Sequence, residues 1–251
     1  MRDPRRAEID PLQHARAQRE AEAARPARAG GRPGPRANRR ACGARKTKAA
    51  LERRGLCASR RRIGRIMREN GLVSAYSKAK SKARAGKPDG RAPRTHIVPD
   101  LTYVQAGSKR NCVCPLVDPC SREIVGHAAG ERKDARLVKS AFATVAFPPT
   151  DIRALHADRG SGFDNIAIDD LLEAFGIEGS LSRKGCPYDN AVDESTNKML
   201  KAEFVYRESF STLHELQVKL NDYVRWHSHF RLHSKLGYVS PVEFRNMGLS
   251  L

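Results

Sequence analysis

The chain has 251 residues, 39% of them hydrophobic, which leaves room for one large domain or two small ones around at least one real core. Lys and Arg number 47 against 28 Asp and Glu, a formal net charge of +19, and this favours a polyanionic partner, nucleic acid first and an anionic membrane surface second. No apolar run approaches the roughly 18 residues of a membrane span and no hydrophobic signal core follows Met1, so a reduced, soluble, cytoplasmic protein is expected.

The charge is unevenly divided. Residues 1–99 hold 28 basic and 8 acidic side chains, leaving 19 and 20 for residues 100–251. A basic front therefore precedes a near-neutral body. Residues 1–40 are dominated by Arg, Ala, Pro and Gly and cannot bury enough apolar surface to offset their ordering entropy, so they read as a disordered basic tail. Residues 41–76 carry two helical stretches, at 44–56 and 59–69, with a tight turn at Gly55 between them. Leu51 marks the inner face of the first; Ile63, Ile66 and Met67 mark that of the second. Ser59 is suited to cap the second helix and Asn70-Gly71 to stop it. Its other faces carry Arg60, Arg61, Arg62, Arg65 and Arg68, the pattern of a helix-turn-helix meeting DNA phosphates, or more blandly of a solvated basic helix. Residues 77–95 form a basic linker.

Strand and helix signals alternate through residues 96–251. Short β-type runs fall at 97–104, 112–117 and 123–127, followed by a helix over 135–146 and a strand over 151–157 that ends on Asp158. A helix over 165–175, a strand over 178–181 and a helix over 192–205 come next. Thr212-x-x-Glu215 forms a capping box for a long helix with Leu213, Leu216, Leu220, Tyr223 and Val224 on one face. This order describes an α/β fold, a mixed sheet flanked by helices.

Six cysteines, at 42, 57, 112, 114, 120 and 186, include no C-x-x-C pair, so neither a zinc knuckle nor a disulfide scaffold is supported. His229-x-x-x-His233 has half of a zinc spacing and no cysteine pair to complete it. The acids are more informative. Asp100 lies within the first strand, Asp158 at the end of another, and Glu194, with 35 residues between it and Asp158, on a helix. Magnesium takes hard oxygen ligands and keeps several waters, so two or three carboxylates plus a substrate phosphate make a site. Two such ions, roughly 3.5–4 Å apart, can serve both the attacking and the leaving oxygen of a phosphoryl transfer, and no nucleophilic side chain is then needed. Asn197, Lys198 and Lys201 project roughly alongside Glu194 on its helix, whereas the rival acid Asp193 is turned about 100° away. By themselves, three acids in a chain with 28 are a weak signal.

The strings around them are specific. His156-Ala-Asp158-Arg-Gly160, Asp100-Leu-Thr-Tyr-Val104, Ser121-Arg-Glu-Ile-Val-Gly126, Ser182-Arg-Lys-Gly-Cys-Pro-Tyr-Asp-Asn-Ala-Val192, Arg231-Leu-His233 and Leu236-Gly-Tyr-Val-Ser-Pro-Val-Glu-Phe244 accompany the segment from Arg45-Lys-Thr-Lys-Ala-Ala-Leu51 through Arg60 to Leu72. Together they resemble the transposases of bacterial insertion sequences with a retroviral-integrase-like DDE core, of the type encoded by the second of two overlapping reading frames. The resemblance covers roughly residues 41–246. It implies a ribonuclease-H-like core over 96–251 preceded by a helix-turn-helix, with Asp100, Asp158 and Glu194 as the metal-binding catalytic triad. It further implies Mg²⁺ or Mn²⁺, two ions, as cofactor. The implied activity is cleavage at the element's terminal inverted repeats followed by strand transfer into target DNA. Implied partners are an upstream-frame DNA-binding polypeptide, joined as a frameshift fusion, and further copies of the chain in a synaptic complex. Lys201 takes the place of the family's basic residue seven positions after its glutamate, Lys198 and Lys201 are expected on DNA, and Asn190 is expected to cap the catalytic helix. A ribonuclease H would share the metal chemistry without explaining the helix-turn-helix or the 236–244 string.

Pro99 stands beside the first catalytic acid, Pro115 falls in the second strand, Pro119-Cys120 replaces a usual Leu-Phe, and Arg110 and Cys112 stand where aromatic residues are common. Proline removes a ladder donor. The expectation is a weakened sheet, and the alternative reading is a catalytically degenerate transposase remnant that only binds DNA.

Overall fold

The computed structural model describes residues 41–74, 92–158, 160, 162–181 and 191–249, and for 181 and 191–195 the backbone alone. The expected tail over 1–40, most of the linker and the Asn190 cap lie outside the described residues. The chain divides into two units, Met1–Ala79 and Lys80–Leu251.

In the first unit, helix α1 spans Ala44–Glu52 and helix α2 spans Arg60–Glu69. The first is shorter than its sequence pattern, because Gly55 takes a positive φ of 76° and the chain turns there. Ser59 caps α2 as its residue type predicts, its hydroxyl accepting from the amide of Arg62 at 3.2 Å. Gly71, at a φ of 62°, ends it. Ile63 is buried, while Arg60, Arg61, Arg65 and Arg68 are exposed and Arg62 is half-buried.

The second unit is built on a hairpin. Strands β1 (His96–Pro99) and β2 (Thr102–Ala106) run along the same edge of β3 (Lys109–Val117), antiparallel to it. Val98 faces Val117, Pro99 faces Leu116 and Thr102 faces Val113, so the register passes from β1 to β2 without a slip. The two are one strand, interrupted at 100–101. The interruption has a chemical cause. Asp100 donates its amide to the carbonyl of Pro115 at 3.2 Å, and Pro115 has no N–H to return.

Each residue of a strand bonds to one side. Because Asp100 bonds toward β3, the nitrogen of Pro99 faces the other edge, where β1 pairs in parallel with β5 (Ala154–Ala157). That pairing extends through Ile97 and Leu155. Pro119 lies beyond β3, in a turn closed by Asp118 amide to Glu123 carbonyl at 2.9 Å, and removes no ladder donor. Strand β4 (Ile124–Gly130) covers the other edge of β3, and β6 (Glu178–Leu181) pairs in parallel with β5. The sheet is therefore mixed, with the prolines accommodated and the order intact.

Helices cover both faces. On one, Ile97, Leu101, Cys114, Leu116, Leu155 and Ala157 form the core with α3 (Ala135–Phe142) and α4 (Ile166–Phe175). Gly126 is required here, since a Cβ would lie 2.7 Å from the carbonyl of Ala141 on α3. Helix α3 stops at Phe142 rather than continuing to 146, and the Thr144 hydroxyl lies 2.8 Å from the Ala141 carbonyl and 3.1 Å from the His127 carbonyl, donating to one of them at a time. Likewise β5 begins at Ala154 rather than at 151, because Pro149–Asp151 closes as a 3₁₀ turn.

Helix α5 spans Ala191–Leu200 and continues as a π-helical turn over Lys201–Val205. Helix α6 (Leu213–His229) lies along β4, with Gln217 Nε2 donating to the Ala129 carbonyl at 2.9 Å. Thr212 caps α6 by accepting from Glu215 N, but Glu215 reaches back to Ser211 N rather than to Thr212, so the expected box is displaced by one residue. The last helix, α7 (Pro241–Asn246), opens with a complete capping box between Ser240 and Glu243. No described helix is long and apolar enough to cross a membrane.

Candidate active site

Period-2 alternation puts Asp100 and Thr102 on one face of the interrupted strand, opposite the core residues Ile97 and Leu101. Thr102 is buried, and its Oγ1 lies 3.3 Å from Asp100 Oδ2 and 3.0 Å from Asn197 Oδ1. One hydroxyl proton serves one acceptor at a time. Both contacts are satisfied when the Asn197 amide presents its NH₂ to Thr102 and Thr102 donates to Asp100, an assignment that heavy-atom positions leave open. Asn197 is on α5, 95 residues from Thr102, so this contact ties that helix to the strand bearing Asp100.

Asp158 follows β5 directly. Its Oδ1 accepts the amide of Gly160 at 3.0 Å. A Cβ at Gly160 would sit 2.8 Å from that same oxygen, so a side chain there displaces the carboxylate. Two residues on, a Cβ at Gly162 would meet Leu101 Cδ1 at 2.5 Å, which shows how closely the segment after Asp158 approaches the residue after Asp100.

Burial pushes the Asp100 carboxyl above the usual carboxylate range. The amide of Leu101 pulls the other way, the negative charge of Asp158 raises it again, and Lys201 and the Thr102 hydroxyl lower it. Asp158 and Lys201 thus each lie within electrostatic reach of Asp100. A buried carboxyl opposed by a second carboxylate is a donor set that a hard divalent cation suits, because its charge relieves both penalties. Among the described residues no group of three or more His, Cys, Asp or Glu forms a metal cluster. Glu194 lies on α5 one turn before Asn197, on nearly the same face, and only its backbone is described. Lys198 on the same helix is exposed. Arg60, Arg61, Arg62, Arg65 and Arg68 belong to the first unit.

The C-terminal end of α5 is held by a buried polar contact. Glu203, in the π turn, accepts from Arg231 Nε at 2.7 Å and Nη2 at 2.8 Å, and from the Tyr223 hydroxyl at 3.3 Å. The extra residue in a π turn lets neighbouring Glu203 and Phe204 both point inward. The 192–205 pattern reads as uninterrupted α-helix, so this turn was not legible. Thr102 was not singled out either, although a signal existed: it stands two residues after Asp100 on a strand. A cavity of about 730 Å³ lined by His127, Gly130, Leu137, Gln217 and Asn221 follows β4 and includes none of the three acids.

An integrase core domain matches residues 90–187 and 194–249, and an HTH-like domain matches residues 36–80. The transposase of insertion sequence element IS904 from Lactococcus lactis is 30% identical over 210 residues, covering 77% of this chain and 83% of that protein. Among solved structures, the catalytic core of the HTLV-2 integrase in complex with magnesium aligns with a TM-score of 0.50 at 14% identity, covering 62% of this chain and 99% of that one. A chain of the simian T-cell lymphotropic virus intasome in complex with a PP2A regulatory subunit aligns with a TM-score of 0.52 at 14% identity, covering 81% and 70%. These two share the fold. With the relative's identity and coverage added, the chain belongs to the insertion-sequence transposases that carry an integrase core.

Proposed function

We propose that Asp100, Asp158 and Glu194 are the carboxylates with which this transposase cuts the ends of its element and joins them to target DNA. The observation that carries this reading is the approach of Asp100 and Asp158 just past the ends of the paired strands β1 and β5, with α5 bonded to the first of them through Thr102 and Asn197. In the first step a water oxygen forms a bond to phosphorus at the element end, the P–O3′ bond breaks, and a 3′-hydroxyl and a 5′-phosphate result. In the second, that 3′-hydroxyl attacks a phosphodiester of the target and releases a target 3′-hydroxyl. Neither step uses a covalent protein intermediate.

Mg²⁺ or Mn²⁺, as two ions held by the three carboxylates, would supply charge stabilisation to the attacking and leaving oxygens. Lys201 lowers the electrostatic penalty on Asp100 and, with Lys198, offers a cation to the DNA backbone beside the site. The exposed Arg60, Arg61, Arg65 and Arg68 of α2, with Arg62, supply phosphate contacts away from the chemistry. An upstream-frame DNA-binding polypeptide, present as a frameshift fusion, and further copies of the chain complete the synaptic complex in this reading.

The test is a labelled terminal-repeat duplex incubated with purified protein in Mg²⁺ or Mn²⁺. Nicking and joining are expected, and Asp158→Asn or Glu194→Gln should abolish both. Activity persisting in either variant overturns the triad.

A further inference from the structure

The contact between Thr102 and Asn197 joins segments 95 residues apart, and neither residue is a carboxylate. Thr102 is 3% exposed, so its hydroxyl sits in a largely water-excluded setting where a hydrogen bond counts for more. It lies between an acid of the proposed site, Asp100, and the helix that carries another, Glu194. Carboxylates that bind a metal must be held in place by their own partners, and losing such partners typically weakens metal binding while leaving the ligands present.

We infer that Thr102 and Asn197 are positioning residues: a hydrogen-bonded link that sets the first strand and the catalytic helix at the separation at which Asp100 and Glu194 bind one divalent cation. The inference rests on the proposed triad. Its geometry is economical. Asn197 stands three residues after Glu194, so the link acts one helical turn from the carboxylate it positions. Thr102 stands two residues after Asp100, the next position on the same face of the strand.

The test is a Mn²⁺ titration followed by electron paramagnetic resonance, made on the full chain without DNA, with thermal melting in parallel. Thr102→Val keeps the shape and removes the hydroxyl; Asn197→Leu removes the amide; Thr102→Ser restores the hydroxyl. Thr102→Val and Asn197→Leu should each raise the Mn²⁺ dissociation constant about tenfold, Thr102→Ser should stay within about twofold of the parent, and the double variant should be no weaker than either single one. Equal affinities for the Val and Ser variants, or losses that multiply in the double variant, overturn the inference. Asp100→Asn and Glu194→Gln serve as controls. If they also leave Mn²⁺ affinity unchanged, the triad itself fails; if they weaken it and Thr102→Val does not, only the positioning role fails.

Discussion

Asp100 and Pro115 face each other across the central hairpin, joined by one hydrogen bond of 3.2 Å where an antiparallel pair of this kind has two. The proline leaves the carbonyl of the proposed catalytic residue without its ladder partner while the register on both sides is kept. Pro115→Val supplies the missing donor. A net hydrogen bond is worth about 1 kcal/mol, and losing proline's restraint on the unfolded chain removes about half of that. A small gain in stability is expected by urea unfolding, with a slowly exchanging amide at residue 115. A rapidly exchanging amide there would show that the interruption has another cause.

Glu203 and Arg231 are almost fully enclosed and doubly bonded. Glu203→Ala leaves a buried guanidinium uncompensated and should cost about 3–5 kcal/mol in urea unfolding. Replacing both residues with Met should recover much of this loss. A single-variant loss below about 1 kcal/mol, typical of a solvated ion pair, would contradict the enclosure.

Gly160→Ala brings a methyl against the Asp158 carboxylate, which must then move. Misplacing a catalytic group by about 1 Å can cost roughly a hundredfold in rate, so cleavage should fall by that order while the melting temperature holds. Parent-like cleavage would mean that Asp158 tolerates displacement.

The raised pKa of Asp100 links stability to pH. The folded state holds this proton more tightly than the unfolded state, so its contribution is fully present below the ordinary value of 3.8 and is lost as pH rises through the folded value. Asp100→Asn removes the penalty of burying the charge. It should raise the melting temperature at pH 7, and the advantage should vanish below pH 3.8. A destabilised variant at pH 7 would contradict the sign.

The basic α2 makes a separate prediction. Replacing the exposed Arg60, Arg61, Arg65 and Arg68 with Ala should weaken DNA binding for any sequence and reduce the magnitude of the log affinity against log salt slope by up to about 4. An unchanged slope would place the DNA grip elsewhere.

What local chemistry decides was legible in the residues. Ser59 and Ser240 cap helices because a hydroxyl before a helical run finds an orphan amide. Asp158 ends a strand because the apolar run stops there. The arginines of α2 lie largely outside because only Ile63, Ile66 and Met67 face inward in the pattern. Family strings then selected Asp100, Asp158 and Glu194 from many acids. Element ends were less legible: α3 stops early at a Thr144 contact with β4, and α5 widens into a π turn around Glu203. Both follow from partners distant in sequence.

Periodicity and residue type by themselves determined the strands, the helices and the acids on offer, since each depends on neighbours within a few residues. Tertiary structure decided which groups meet. Thr102 reaches Asn197, Glu203 reaches Arg231, Lys201 approaches Asp100, and the missing proton of Pro115 falls opposite that same acid. Each relation joins separate segments through the register of a sheet or the seat of a helix. Periods of 2 and 3.6 residues assign a side chain to a face and leave its partner across that face undetermined.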